Sequence, residues 1–156
     1  MHINNVVQKL LVVTGATLAL GIVSTKHVQA RAVGAAAGLA GAADMACLNI
    51  NLATLTNACG HTVSLDVPLE TDGVGNKNIN VTAQGGSAAN NVACRGLATD
   101  EFFTSLFASG PYVSLPFFGP TAKIQLPATF VPQNGQLLVN CQINNGGAVR
   151  VVNWTI

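Results

Sequence analysis

The stretch HTVSLDVPL, residues 61–69, alternates polar and apolar side chains without a break. Val63, Leu65, Val67 and Leu69 fall on one face of an extended chain, and Thr62, Ser64 and Asp66 fall on the other. A period of two is that of a strand with one buried face. It recurs in NKNINVTA, which sets Ile79, Val81 and Ala83 against Asn78, Asn80 and Thr82, and in TAKIQLP, which sets Ala122, Ile124 and Leu126 against Lys123 and Gln125. GQLLVNCQI gathers Leu137, Val139, Cys141 and Ile143, and NNVACRG gathers Val92 and Cys94 with Arg95 outward. Between these runs lie TDGVGNK, QGGSAANN, FFGPT, PQNGQ and NNGG. Their Gly and Asn supply the positive-φ positions that tight turns need. Strand and turn repeating at this spacing predict an all-β fold, an antiparallel β-sandwich or jelly-roll-like barrel. The final run, AVRVVNWTI, is apolar on both faces, so it is either central or covered by another chain.

One segment breaks the period. In TDEFFTSLFASGP, Thr99 can cap a helix, Asp100 and Glu101 suit its first turn, Gly110 can end it and Pro111 prevents its continuation. Phe103, Leu106 and Phe107 then share a face. The punctuation predicts a short helix over 100–108, docked through those three side chains, because a helix of that length does not stand alone. Phe130, in ATFVP, is expected in the core on a strand end. Phe117 and Phe118 sit between Pro116 and a Gly-Pro turn, where adjacent side chains rarely both point inward. With Tyr112 they form a candidate apolar binding patch.

The N-terminus has the three-part layout of a secretory signal peptide. MHINNVVQK carries a single Lys and no acid, LLVVTGATLALGIV is an uninterrupted apolar run, and STKHVQARA supplies small residues at a cut site. Cleavage after Ala30 uses Val28 and Ala30, and cleavage after Ala32 uses Ala30 and Ala32. The apolar run is shorter than the roughly 20 residues a membrane span needs. The expected organisation is a signal peptide over 1–30, an Ala/Gly-rich flexible leader over 31–46, and one domain over 47–156. Export makes the destination extracellular, periplasmic or at the cell surface.

All four cysteines, Cys47, Cys59, Cys94 and Cys141, follow the signal. An even count in an exported chain reads as two disulfides. Three pairings are possible. Strand parity favours Cys94 with Cys141, since both point to the core side, which leaves Cys47 with Cys59.

Charged residues make up 8% of the chain, against about 25% in typical domains. No basic patch is present, so nucleic-acid binding has no electrostatic basis. No cofactor motif is present, and with a single histidine after the signal no metal site is expected. His61, Ser64 and Asp66 suggest a triad, but on one strand His61 has the opposite parity to the other two. Glu70, Asp72, Asn76 and Asn78 make an oxygen-rich loop without the spacing of an EF-hand. It reads as a solvated hairpin turn. NVT at Asn80 and NWT at Asn153 fit the glycosylation sequon, which matters only in a eukaryotic secretory pathway.

NVACRGLA and LLVNCQINNGGAVRVVNWTI resemble, by spacing alone over residues 90–156, small exported bacterial β-sandwich proteins of uncharacterised function. In those, a mid-chain cysteine followed by a charged residue pairs with one on the penultimate strand. The resemblance implies a fold and an export route, not an activity. Two function classes remain. One is a secreted or surface-associated, non-enzymatic binding or accessory module of unknown ligand. The other is a self-associating structural subunit of an extracellular fibre or coat, which the low charge and a resemblance in outline to fimbrial subunits favour. A secreted enzyme comes third.

Overall fold

The structure is a computed structural model that describes residues 30–71 and 73–155. Its strands are β1 (Ala30–Gly34), β2 (Leu39–Ala40), β3 (Leu48–Asn51), β4 (Thr54–Asn57), β5 (Val63–Leu69), β6 (Gly75–Gln84), β7 (Val92–Thr99), β8 (Leu106–Ser109), β9 (Val113–Ser114), β10 (Ala122–Val131), β11 (Gln136–Ile143) and β12 (Ala148–Thr155). They form two antiparallel sheets packed face to face. The first runs β10-β6-β12-β4-β3, with β1 beside β12; the second runs β2-β5-β11-β7-β8, with β9 beside β7. The predicted sandwich is present. The two-sided apolar strand β12 is central, flanked by β6 on one edge and by β4 and β1 on the other.

The alternation read from the sequence sets the core. Val63, Leu65, Val67 and Leu69 of β5 are buried, as are Leu137, Val139, Cys141 and Ile143 of β11. Ile79, Val81 and Ala83 of β6 oppose them from the other sheet. Parity also carries Lys77 inward, fully buried on the Ile79 face. Both disulfides follow the favoured pairing, Cys47–Cys59 and Cys94–Cys141. Cys94 and Cys141 stand directly opposite one another on β7 and β11. At one end of the sandwich the buried Asn57 donates its Nδ2 to the carbonyls of His61 and Ile143, and its Oδ1 accepts from the Cys59 N–H. One amide thus fixes three loop segments.

Three expectations need correction. Residues 31–46 are not a free leader. β1 pairs with β12 over five residues, β2 pairs with β5, a 3-10 turn follows β1, and Ala35 is fully buried. Among the described residues the only α-helical turn, α1 (Ala42–Met45), also lies in this segment. Small residues reflect close packing here. A Cβ on Gly34 would lie 2.8 Å from that of Ala53, and one on Gly38 would lie 2.7 Å from Leu65 Cδ1. The sandwich therefore begins at the edge of the segment read as a signal, whose remaining residues lie outside the described ones.

The helix expected over 100–108 is a turn followed by β8. Asp100 decides this. Its carboxylate accepts from both the Thr104 N–H and the Thr104 hydroxyl, and its own N–H donates to the Ser105 carbonyl. These bonds close a hairpin and compete with helix winding. Phe103, Leu106 and Phe107 are consequently exposed, not core, and Phe103 takes a φ of 58°. Phe130 is exposed as well. The register between β10 and β6 shifts between Leu126 and Thr129, and the bulge turns Thr129 inward and Phe130 outward.

Candidate binding face

The outer face of the second sheet carries a polar row that crosses three strands. Asn140 on β11 lies directly opposite Arg95 on β7 and Asp66 on β5. Adjacent strands are about 4.8 Å apart, so the backbones of Arg95 and Asp66 stand about 10 Å apart. Asn140 is buried at 6% exposure and its hydrogen-bonding groups are occupied. Its Nδ2 donates to Asp66 Oδ1 at 2.7 Å and to Ser64 Oγ at 2.9 Å. Its Oδ1 accepts from the Tyr112 hydroxyl. The Arg95 guanidinium lies over the Tyr112 ring, 4.5 Å from its centroid, and Nη1 reaches Ser109 Oγ at 3.4 Å. A cation over an aromatic face is attracted by the ring quadrupole.

The chemical consequence is a separation of charge. Arg95 and Asp66 form no ion pair with one another. The second carboxylate oxygen of Asp66 takes no hydrogen bond from the described residues. The row therefore offers cationic donors at one end and a free acceptor at the other, with a satisfied amide holding them apart. On β7 and β11 the neighbouring outward row is Leu97 and Leu138, so an apolar strip runs beside the polar one.

A second feature is an open cleft of about 680 Å³ at one end of the sandwich, lined by Arg31 and Val33 of β1, Pro68 of β5, Glu70, Gln136 and Trp154. The Arg31 guanidinium stands 3.8 Å from the Glu70 carboxylate, which links the two sheets across the opening. Trp154 is buried in its floor and donates Nε1–H to the Glu70 carbonyl at 2.9 Å.

The other residues singled out from sequence are dispersed. His61 contacts Asp44 at 2.9 Å, away from Ser64 and Asp66, which bond to Asn140, so no triad assembles. Of the oxygen-rich loop, Glu70 faces Arg31, Asn76 and Asn78 are exposed on β6, and Asp72 lies outside the described residues. Asp44, Cys47 and Cys59 come close together, but both sulfurs are in the disulfide and neither is a thiolate. Asn80 and Asn153 are direct cross-strand neighbours on the outer face of the first sheet. Phe117 and Phe118 are both exposed, on a loop tethered by the Gly119 N–H to the Gly85 carbonyl. Tyr112 instead belongs to the Arg95–Asn140 group. Asn140 was the residue that sequence reading missed. Its one signal was an amide at an outward position in LLVNCQI, and that acquires meaning only when the register brings Arg95 and Asp66 beside it. Among the described residues, no helix is long and apolar enough to cross a membrane.

No family model and no curated protein matches the chain. Solved structures do resemble it. The C-terminal CBM6 of LamC, a marine laminarinase from Zobellia galactanivorans, superposes with a TM-score of 0.50 at 8% identity, over 82% of this chain and 100% of that one. The GH26-CBM35 β-(1,4)-mannanase of Podospora anserina superposes with a TM-score of 0.52 at 7% identity, over 81% of this chain and 27% of that one. At such identities the likeness is one of fold. The protein is an antiparallel β-sandwich of the architecture found in those chains.

Proposed function

We propose that the protein is an exported, non-enzymatic binding module, and that the outer face of its second sheet takes a neutral, polyhydroxylated ligand of carbohydrate type. The observation that carries this reading is the Arg95–Asn140–Asp66 row. A sugar hydroxyl both donates and accepts, so hydroxyls on opposite sides of a ligand can donate to the free oxygen of Asp66 and accept from Arg95. The strip of Leu97 and Leu138 matches the C–H face of the same ring. A few placed polar groups beside apolar surface are the usual makeup of a small-molecule site. The fold likeness to the CBM6 and CBM35 chains supports the same choice. The sparse, balanced charge argues against a polyanionic ligand.

The test is binding of the exported protein to a panel of neutral and acidic polysaccharides. Asp66→Ala and Arg95→Ala should each weaken retention on one neutral glycan at least tenfold. Retention that survives both changes, or that is confined to acidic polymers, would remove the reading.

A second reading concerns Phe117 and Phe118, since both rings are exposed on one loop. They would form a separate apolar contact. Replacing both with Ser should reduce ligand capture or self-association while the melting temperature holds; a large drop in melting temperature would mean the rings only pack.

A further inference from the structure

We propose that maturation hydrolyses the Ala30–Arg31 bond and not the Ala32–Val33 bond, so that the mature chain starts on the rim of the end cleft. This rests on the export reading. Water adds across the amide: Ala30 leaves with the carboxylate and Arg31 keeps the nitrogen as an α-ammonium.

The sequence offers both bonds with small flanking residues, Val28 and Ala30 for the first and Ala30 and Ala32 for the second, and by itself gives the first no preference. The sheet does not treat them alike. On the edge of β12 that faces away from β6, β4 covers only Ala148 and Val149. The remainder, from Val151 to Thr155, is covered by β1, in the register Ala30↔Thr155, Arg31↔Trp154, Ala32↔Asn153, Val33↔Val152 and Gly34↔Val151. A cut after Ala30 keeps four of those five pairs and gives up only Ala30↔Thr155. A cut after Ala32 keeps two, and opens the end of an apolar strand as a template for another chain.

The side chains point the same way. Arg31 is the β1 residue that reaches across the opening to Glu70, at 3.8 Å. It pairs with Trp154, whose indole is 5% exposed. Cutting after Ala32 deletes that bridge, removes two residues from the cleft wall and uncovers the indole. Cutting after Ala30 instead adds a second cation, the new α-ammonium, to the residue that already holds Glu70. The cleft is then finished by proteolysis.

The full chain, exported from a host with a secretory pathway, is collected and its intact mass and first residues are determined. Arg31 as first residue is expected. Val33, or any other start on an exported chain, overturns the proposal and leaves the binding reading standing. A chain that is neither cut nor exported overturns the export reading instead. The structural reason is tested separately by comparing chains that begin at Arg31 and at Val33. The shorter should melt about 5 °C lower or more, and its fluorescence should shift to the red, since Trp154 is the only tryptophan. Equal melting and equal emission would show that β1 does not need Arg31.

Discussion

Asn140 donates its side-chain amide to the carboxylate of Asp66 on the neighbouring strand at 2.7 Å. The same amide serves Ser64 and Tyr112, so one buried side chain orders three polar groups. Asn140→Ala should therefore cost more than an outward-pointing strand position suggests. Three part-buried hydrogen bonds are lost, at about 0.5–1.5 kcal/mol for a typical one, and urea unfolding should show a loss of about 1–3 kcal/mol in all. Glycan retention should fall together with stability. Asp66→Asn, which keeps the size and an acceptor, should spare stability while weakening retention.

The two disulfides should contribute unequally. Cys94–Cys141 spans 47 residues and Cys47–Cys59 spans 12. In the chain-entropy account the longer loop is worth about 1 kcal/mol more. Replacing Cys94 and Cys141 with Ala should lower stability by about 2–5 kcal/mol. Replacing Cys47 and Cys59 should lower it less. Denaturant curves of the two double variants give the order directly.

Gly96 faces inward on β7, where Thr129 of β10 packs against it. A Cβ there would lie 2.1 Å from Thr129 Oγ1 and 3.1 Å from Ile79 Cδ1. Gly96→Ala should destabilise by about 1–3 kcal/mol through overpacking. The double variant Gly96→Ala with Thr129→Ala should recover part of the loss.

Phe103 sits at φ 58° with its ring exposed. An L side chain there carries strain of about 1–2 kcal/mol. Phe103→Gly should raise the melting temperature or leave it unchanged. A clear fall would show that the ring packs in solution.

Asp100 holds the same turn, and the hydrogen bond from the Thr104 hydroxyl, with backbone donors including the Thr104 N–H, lowers its carboxyl from the ordinary value of 3.8. A depressed folded value means that the bonds are fully present above 3.8 and are lost as pH falls through the lower folded value. The Thr104 amide should stay protected from exchange between pH 7 and about pH 5, and lose protection only well below pH 4. Asp100→Asn should remove that acid dependence.

Much of the fold was legible in residue order. Period-two runs gave β5, β6, β7, β10 and β11 their inward faces, and those faces fixed the Cys94–Cys141 pair. Each of these depends only on neighbours along one strand, where the pleat turns alternate side chains the same way regardless of what lies opposite. The segments that failed are those where the opposing surface decides. An Ala/Gly run reads as loose when seen alone, yet Gly34 and Gly38 are small because Ala53 and Leu65 stand within contact distance. Helix punctuation at Thr99–Pro111 lost to the carboxylate of Asp100. A bulge after Leu126 reversed the parity that placed Phe130 inside. The candidate site belongs to this second group. Arg95, Asn140 and Asp66 are 74 residues apart at their widest interval, and each looks like an ordinary outward polar residue on its own strand. Along an unbroken strand, the sequence alone determined which way each side chain leaves it. Only the pairing of β5, β11 and β7 decided which side chains meet, because register is set by the packing of two whole sheets and not by any strand within them.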